Sequence, residues 1–341
     1  IREAGIASLE KGRTRYTPNR GFIQLRQEVS SFLLRHYGVE YLPEKEILVT
    51  VGGSEAIDLC VRSLVNPGDE VLIPEPSFVC YVPITQAAGG VPVIIETQPD
   101  NGFKLTAQQL EGKITDKTKL LIMPYPNNPT GAVMSRAELE EIAEVAERRN
   151  LLVLSDEIYA ALTYTQAGHT TFSSLPGMRE RTVVVNGFSK AHSMTGWRLG
   201  YAAGPQEIIS LMTKLHQFAI MSAPTTSQYA AIEAMKNGDE DMAYMREQYD
   251  MRRRLILDGL NSLGLKCFEP EGAFYVFPSI KCTGLTSGEF CERLIYSKHV
   301  AVVPGDAFGA CGEGFLRISY CYSVKHITEA LERMQAFLRE L

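Results

Sequence analysis

A lysine stands in the segment Asn186-Gly-Phe-Ser-Lys190-Ala-His-Ser-Met-Thr-Gly-Trp-Arg198-Leu-Gly, eight positions ahead of an arginine. A lysine amine attacks a carbonyl only when uncharged, and burial or a nearby cation lowers its pKa enough for Schiff-base chemistry. Taken alone, Lys190 reads more readily as an ordinary surface lysine. A second segment, Leu152-Val-Leu-Ser-Asp156-Glu-Ile-Tyr159, puts an acid at the end of an apolar run. A carboxylate held against a pyridine nitrogen keeps it protonated, and a protonated ring withdraws electrons from a substrate carbanion. Asp156 suits that task, Glu157 is expected to point away, and Tyr159 offers a phenol to a ring oxygen. The same Asp-Glu pair also suits a loop cap, or the metal-binding pair of a phosphate-hydrolysing enzyme.

Three further segments carry polar groups at the ends of apolar runs. Met123-Pro-Tyr-Pro-Asn127-Asn128-Pro-Thr-Gly131 offers amides in a loop that its prolines and glycine stiffen, and as structure alone it is a rigid turn. Val51-Gly52-Gly53-Ser54-Glu-Ala56 leads into a helix, where backbone N–H groups can cradle an anion. A plain turn is the competing reading, and neither G-x-G-x-x-G nor a Walker lysine is present. Gly314-Phe-Leu-Arg317-Ile-Ser-Tyr sets an arginine in an apolar strand, where its planar fork suits a carboxylate or a structural salt bridge.

The elements that must position these groups alternate in type. Strands are expected at Ile47–Val51, Glu70–Ile73, Val91–Glu96, Lys119–Met123, Leu151–Ser155, Thr182–Asn186 and Leu199–Ala203. Helices are expected at Ser54–Leu64, Tyr81–Ala88 and Ser135–Arg149, the last opening on the Ser135/Glu138 spacing of a capping box. Such alternation predicts an α/β fold with a mostly parallel sheet, whose ligands collect at the strands' carboxyl ends. A long helix, about Asp239 to Leu263, breaks the rhythm. Ala273–Pro278, Ala301–Val303, Leu316–Tyr320 and a terminal helix from about Val324 to Leu341 then read as a smaller α+β domain. The expected division is a large domain over 1–238 and, over 239–341, the interdomain helix with the small domain. The chain opens at Ile1 within a helical pattern and without Met, so an N-terminal arm is expected ahead of it.

A net charge of −6 supplies no excess of cations for nucleic acid or an anionic membrane. No apolar run reaches the ~20 residues of a membrane span, and no signal peptide is visible. The seven cysteines (60, 80, 267, 282, 291, 311 and 321) are odd in number and lack C-x-x-C pairing. They predict reduced, buried thiols in a cytoplasmic protein, with neither a disulfide framework nor a metal site.

In this order the segments resemble the class I/II aminotransferases of pyridoxal-phosphate (PLP) fold type I, from Thr14-Arg-Tyr16-Thr-Pro-Asn-Arg-Gly21 to Phe315-Leu-Arg317. The resemblance implies a large domain with a seven-stranded, mostly parallel sheet flanked by helices, plus the smaller C-terminal domain. It makes Lys190 the Schiff-base lysine, Asp156 the pyridinium partner, and Tyr159 and Asn128 the contacts of the cofactor's 3′-oxygen. Arg198, Ser189 and the Gly53–Ser54 backbone correspond to phosphate ligands. Phe78 corresponds to the aromatic stacked on the ring, with Tyr81 as a rival. Arg317 corresponds to the arginine that grips the substrate α-carboxylate, beside Asn128. Tyr16 matches a tyrosine that reaches a neighbouring subunit's phosphate, which implies a homodimer with shared active sites.

The activity implied is transfer of an amino group from an L-α-amino acid to a 2-oxo acid, 2-oxoglutarate being the expected acceptor, by an aldimine/ketimine ping-pong cycle on Lys190. A carbon–sulfur lyase of the same fold and a PLP-binding regulator domain without turnover are the alternatives. Two departures stand out. Gly187 replaces a serine common three positions before the lysine, so Ser189 is expected to supply that phosphate contact. Ser54 stands where an aspartate-preferring subgroup carries lysine, which leaves an aspartate preference in doubt. Asn186–Tyr201 and Gly272-Ala-Phe-Tyr-Val-Phe-Pro-Ser-Ile-Lys281 look most like the bacillary aminotransferase A and N-acetyl-LL-diaminopimelate aminotransferase group, associated with lysine synthesis.

Overall fold

The computed structural model describes residues 1–341. Its large sheet has seven strands: β1 (Ile47–Thr50), β2 (Glu70–Glu75), β3 (Val91–Glu96), β4 (Thr118–Met123), β5 (Leu152–Asp156), β6 (Thr182–Gly187) and β7 (Gly200–Ala203). Their order is β1-β7-β6-β5-β4-β2-β3. The run from β6 to β3 is parallel, and β7 is antiparallel to both of its neighbours. The central strands are sealed on both faces. Every residue of β6 is buried, as are Val153–Asp156 of β5. That is why their sequences are continuous apolar runs rather than alternating ones.

The expected helices form at Gly53–Leu64, Tyr81–Ala87 and Arg136–Arg148. Ser135 caps the last by a reciprocal box: its hydroxyl accepts the Glu138 N–H, and the Glu138 carboxylate accepts the Ser135 N–H at 2.7 Å. Helices Ile23–Tyr37, Gln206–Ala219 and Thr225–Asn237 pack around the same sheet without having been read in the sequence. The buried face of Thr225–Asn237 explains its silence. It consists largely of Ser227, Gln228, Ala230, Ala231 and Ala234, which give no stripe of large apolar residues.

After the 24-residue helix Asp239–Ser262 comes a separate three-stranded antiparallel sheet, β8 (Tyr275–Val276), β9 (Val303–Pro304) and β10 (Leu316–Ser319), in the order β8-β10-β9. It has its own core, including Ile256, Leu260, Phe290, Leu316, Tyr320 and Phe337. β8 is shorter than the expected Ala273–Pro278; Ala273 itself takes a left-handed backbone, φ +59°, which a pleated strand cannot include. β9 begins two residues later than expected. The helix Ser287–Lys298, also unread in the sequence, covers this sheet together with Val324–Leu338.

The two sheets are stitched where the chemistry was expected. Thr163 and Gly272 form an isolated antiparallel bridge, Ala273 N–H donates to Leu162 C=O at 3.0 Å, and Tyr159, Leu162, Ala273 and Tyr275 share a small buried cluster. All seven cysteines are unbonded to one another; Cys60 is buried, but Cys282 and Cys321 are exposed, contrary to expectation. Cys282 lies in a surface 3₁₀ turn and Cys321 just past the end of β10. No helix is long and apolar enough to cross a membrane.

Candidate active site

A cavity of about 290 Å³ opens at the carboxyl ends of the parallel strands. Residues following β1 (Gly53, Ser54), β2 (Phe78, Tyr81), β4 (Asn128), β5 (Ile158, Tyr159) and β6 (Ser189, Lys190) line it, with Asp156 at the tip of β5. Arg198 enters just before β7, and the small sheet contributes Tyr275 and Arg317. Every proposed site residue except Tyr16 therefore meets in one place. Tyr16 is 83% exposed and lies outside the cavity.

Asp156 is 7% exposed, yet both its oxygens are engaged. Oδ2 accepts the Tyr81 hydroxyl at 2.7 Å and Oδ1 accepts the Ile158 N–H at 3.2 Å. Burial pushes its carboxyl up to about 6; the two hydrogen bonds and the Lys190 charge hold it down, while Glu157 adds to the rise. Glu157 turns away, as its alternate position along the chain requires. Its Oε1 accepts from Ser155 Oγ, Thr171 Oγ1 and the Phe172 N–H at 2.8, 2.9 and 3.0 Å, so it anchors a neighbouring loop rather than facing the cavity. Asp156 and Glu157 are thus bonded to different partners, and no group of three or more His, Cys, Asp or Glu is arranged to hold a metal.

Lys190 rides on the single-turn helix Phe188–Ala191, its Nζ 5.5 Å from the Tyr159 ring centre and 5.2 Å from that of Phe274. Burial moves the ammonium below the usual lysine range. Arg317 and Arg198 add to that shift, and Cys321 and Asp156 oppose it. An amine so placed is uncharged more often than a surface lysine, the condition for attack on a carbonyl.

One end of the cavity is built for an anion. Gly52 has φ +82°, and a Cβ placed on it would come 2.7 Å from Arg198 Nη2. Glycine thus allows the turn out of β1 and also the close seat of the guanidinium beside the N-terminus of helix Gly53–Leu64, whose first-turn N–H groups are free to bind an anion. Gly187 has a different reason. A Cβ there would meet the Gly200 Cα at 2.9 Å, so β7 passes too close for a serine, and Ser189 is the hydroxyl left facing the cavity.

At the other end, Arg317 Nη1 donates to Asn128 Oδ1 at 3.1 Å, and its guanidinium lies 4.7 Å from the ring centres of both Tyr275 and Phe308. No carboxylate pairs with it, so the salt-bridge reading falls away. Asn127 has a structural task instead, its Oδ1 capping Thr130 N–H and Oγ1 at 3.0 and 2.8 Å. The residue the sequence reading missed is Tyr275, whose hydroxyl is 2.9 Å from that of Tyr159. Its one signal was the aromatic run Phe274-Tyr275-Val-Phe277 just after Gly272-Ala273.

The family model for aminotransferase class I and II matches residues 1–334. The chain belongs to that family. It is 51% identical over its whole length to the putative aminotransferase YugH of Bacillus subtilis, covering 88% of that protein. It is 43% identical, over 99% of its length and 85% of the other, to a probable N-acetyl-LL-diaminopimelate aminotransferase of the same organism. The aromatic aminotransferase structure from Pyrococcus horikoshii superposes with a TM-score of 0.97 at 44% identity, covering 99% of this chain and 91% of that one. The protein is a pyridoxal-phosphate-dependent aminotransferase of fold type I. Its residues fit that cofactor: an anion cradle that a Gly52 side chain would close, a buried carboxylate, and a lysine with a lowered pKa share the cavity.

The buried Asp156 has a consequence for the aminotransferase without its cofactor. Its folded pKa of about 6 lies above the ordinary 3.8, so its contribution to stability is whole below about 3.8 and is lost as pH rises through about 6. Asp156→Asn should remove that part of the decline. Urea unfolding of the cofactor-free protein across this pH range, wild type against variant, measures it; equal slopes would show that Asp156 ionises as freely folded as unfolded.

Proposed function

We propose that this cavity binds PLP and an α-amino acid, and that the aminotransferase passes the amino group to a 2-oxo acid, 2-oxoglutarate being the acceptor of first choice. The observation that carries the reading is the joint placement of Lys190 and Asp156 in one cavity with an Arg317 that lacks any carboxylate partner. When bound, PLP supplies a carbonyl that takes the amino group and a ring that accepts the electrons of the Cα–H bond. Lys190 would hold that carbonyl, and its Nζ, once freed by substrate, would take up and give back the α-proton. Asp156, steadied by the Tyr81 hydroxyl, would keep the ring nitrogen protonated. Tyr81 is therefore occupied edge-on, which supports Phe78 as the stacking ring. Tyr159 and Asn128 serve the 3′-oxygen, and Gly53, Ser54, Ser189 and Arg198 the phosphate.

Arg317 takes the α-carboxylate, with Asn128 beside it. The exposure of Tyr16 supports a homodimer in which it completes the partner subunit's phosphate site. The chain divides into a PLP-binding domain over 1–238 and, over 239–341, the interdomain helix with the small domain, each with its own sheet and core. We place the enzyme in the cytoplasm, with amino-acid metabolism, including lysine and diaminopimelate synthesis, as its setting. The name of the diaminopimelate relative supports that setting.

Purified holoenzyme should convert 2-oxoglutarate to glutamate with at least one α-amino acid of a panel that includes acetylated diaminopimelate, and Lys190→Ala should abolish the conversion. Pyruvate release without any oxo-acid acceptor would instead identify a lyase. Arg317→Lys keeps the charge but loses the two-pronged contact. It should cost roughly 1.5–3 kcal/mol of transition-state stabilisation, about 10- to 200-fold in kcat/KM, for acidic and neutral donors alike. Neutral donors left unaffected would remove Arg317 from the α-carboxylate.

A further inference from the structure

Tyr275 comes from β8 of the small sheet and Tyr159 from the end of β5 in the large one, yet their hydroxyls meet at 2.9 Å. The rings stand edge to face, centroids 5.9 Å apart, and the residues are 7% and 5% exposed. Buried phenols seek a partner in the protein, and each has found the other. The Tyr275 ring also carries the Arg317 guanidinium, 4.7 Å from its centre. One aromatic side chain therefore touches both the guanidinium we assign to substrate and the phenol we assign to the cofactor's 3′-oxygen.

We propose that Tyr275 is a positioning residue that transmits the charge state of Arg317 to Tyr159, so that carboxylate binding at one end of the cavity alters hydrogen bonding to the cofactor at the other. The proposal rests on the functional reading above. Its logic is the count of protons. A phenol has one O–H, so once Tyr159 gives its proton to the cofactor oxygen it can only accept from Tyr275, and Tyr275 must donate. The pair then has a single direction, and successive hydrogen bonds strengthen one another. A cation against the Tyr275 ring makes its O–H the better donor. A substrate carboxylate on Arg317 offsets that cation and weakens the donation. Tyr159 then holds an anionic oxygen less well, and the nitrogen that joins Lys190 to the cofactor becomes more basic.

The neighbouring charges are few. Burial raises the Tyr275 phenol, Tyr159 and Arg317 pull it back, and Cys321 adds to the rise. Tyr159 itself is raised by burial first, with Tyr275 and Asp156 contributing and Arg317 opposing. Lys190 feels Arg317, Arg198, Cys321 and Asp156 directly, so a measurement must separate that direct effect from the route through Tyr275.

A double-mutant cycle on the holoenzyme separates them. The reading is the pH midpoint of the cofactor–lysine absorption, with and without saturating succinate or 3-phenylpropionate, carboxylates that lack an amino group. In wild type the carboxylate should raise the midpoint. In Tyr275→Phe the midpoint of the free enzyme should already be raised, and the carboxylate-induced shift should fall below half, in a protein that still folds and loads PLP. In an Arg317→Gln background the same Tyr275→Phe substitution should raise the midpoint less than it does in wild type. A full carboxylate-induced shift in Tyr275→Phe, or strictly additive effects of the two substitutions, would overturn the proposal. A wild-type protein without any titrating absorption that Lys190→Ala removes would overturn the functional reading itself, and the proposal with it.

Discussion

A carboxylate stripped of water is costly unless something cationic or hydrogen-bonding faces it, and Asp156 sits at the tip of a strand buried on both faces. Much of the site follows from that constraint. Tyr81 and the Ile158 N–H occupy one direction each, while burial still lifts the group to about 6. A protonated ring nitrogen is the kind of partner that would restore the balance. Lys190 shows the complementary tension. Burial disfavours its ammonium, and the nearby Arg317 and Arg198 add to that effect.

The fold brings these groups together by a simple device. Parallel strands present all their carboxyl ends on one edge, and each loop leaving that edge delivers one kind of group. The loop after β5 carries the acid, the turn after β6 the lysine, and the glycine turn after β1 the anion cradle. The small sheet then lowers Arg317 and Tyr275 onto the same cavity, locked by the Thr163–Gly272 bridge and the Tyr159–Tyr275 contact. The guanidinium proposed for the substrate carboxylate thus comes from one sheet and the proposed acid–base lysine from the other.

How much of this was legible in the chain depended on whether a residue's role is local. Asp156, Lys190, Asn128 and Arg198 stand at the ends of apolar runs in short, unusual spellings, and the strand ends were readable to within a residue or two because buried parallel strands are continuous in Val, Ile and Leu. Glu157 could be turned away correctly because successive residues of a strand face opposite sides. Tyr275 could not be found this way, since its importance lies in a contact 116 positions distant. Tyr81 was visible only as a rival to Phe78; that it serves Asp156 instead is a fact of packing between the loops after β2 and β5. The helix Thr225–Asn237 went unread because small residues on its buried face leave no periodic apolar signal.

The central claim is that Lys190, facing Asp156 in this cavity, is the amine that carries the cofactor. Reduction of the PLP-loaded protein with borohydride makes that link permanent, and mass spectrometry of the digest then locates it. The account predicts the reduced cofactor on the peptide containing Lys190, with no other lysine modified in stoichiometric amount. Stoichiometric modification of a different lysine, or none at all in a PLP-saturated protein, would contradict it.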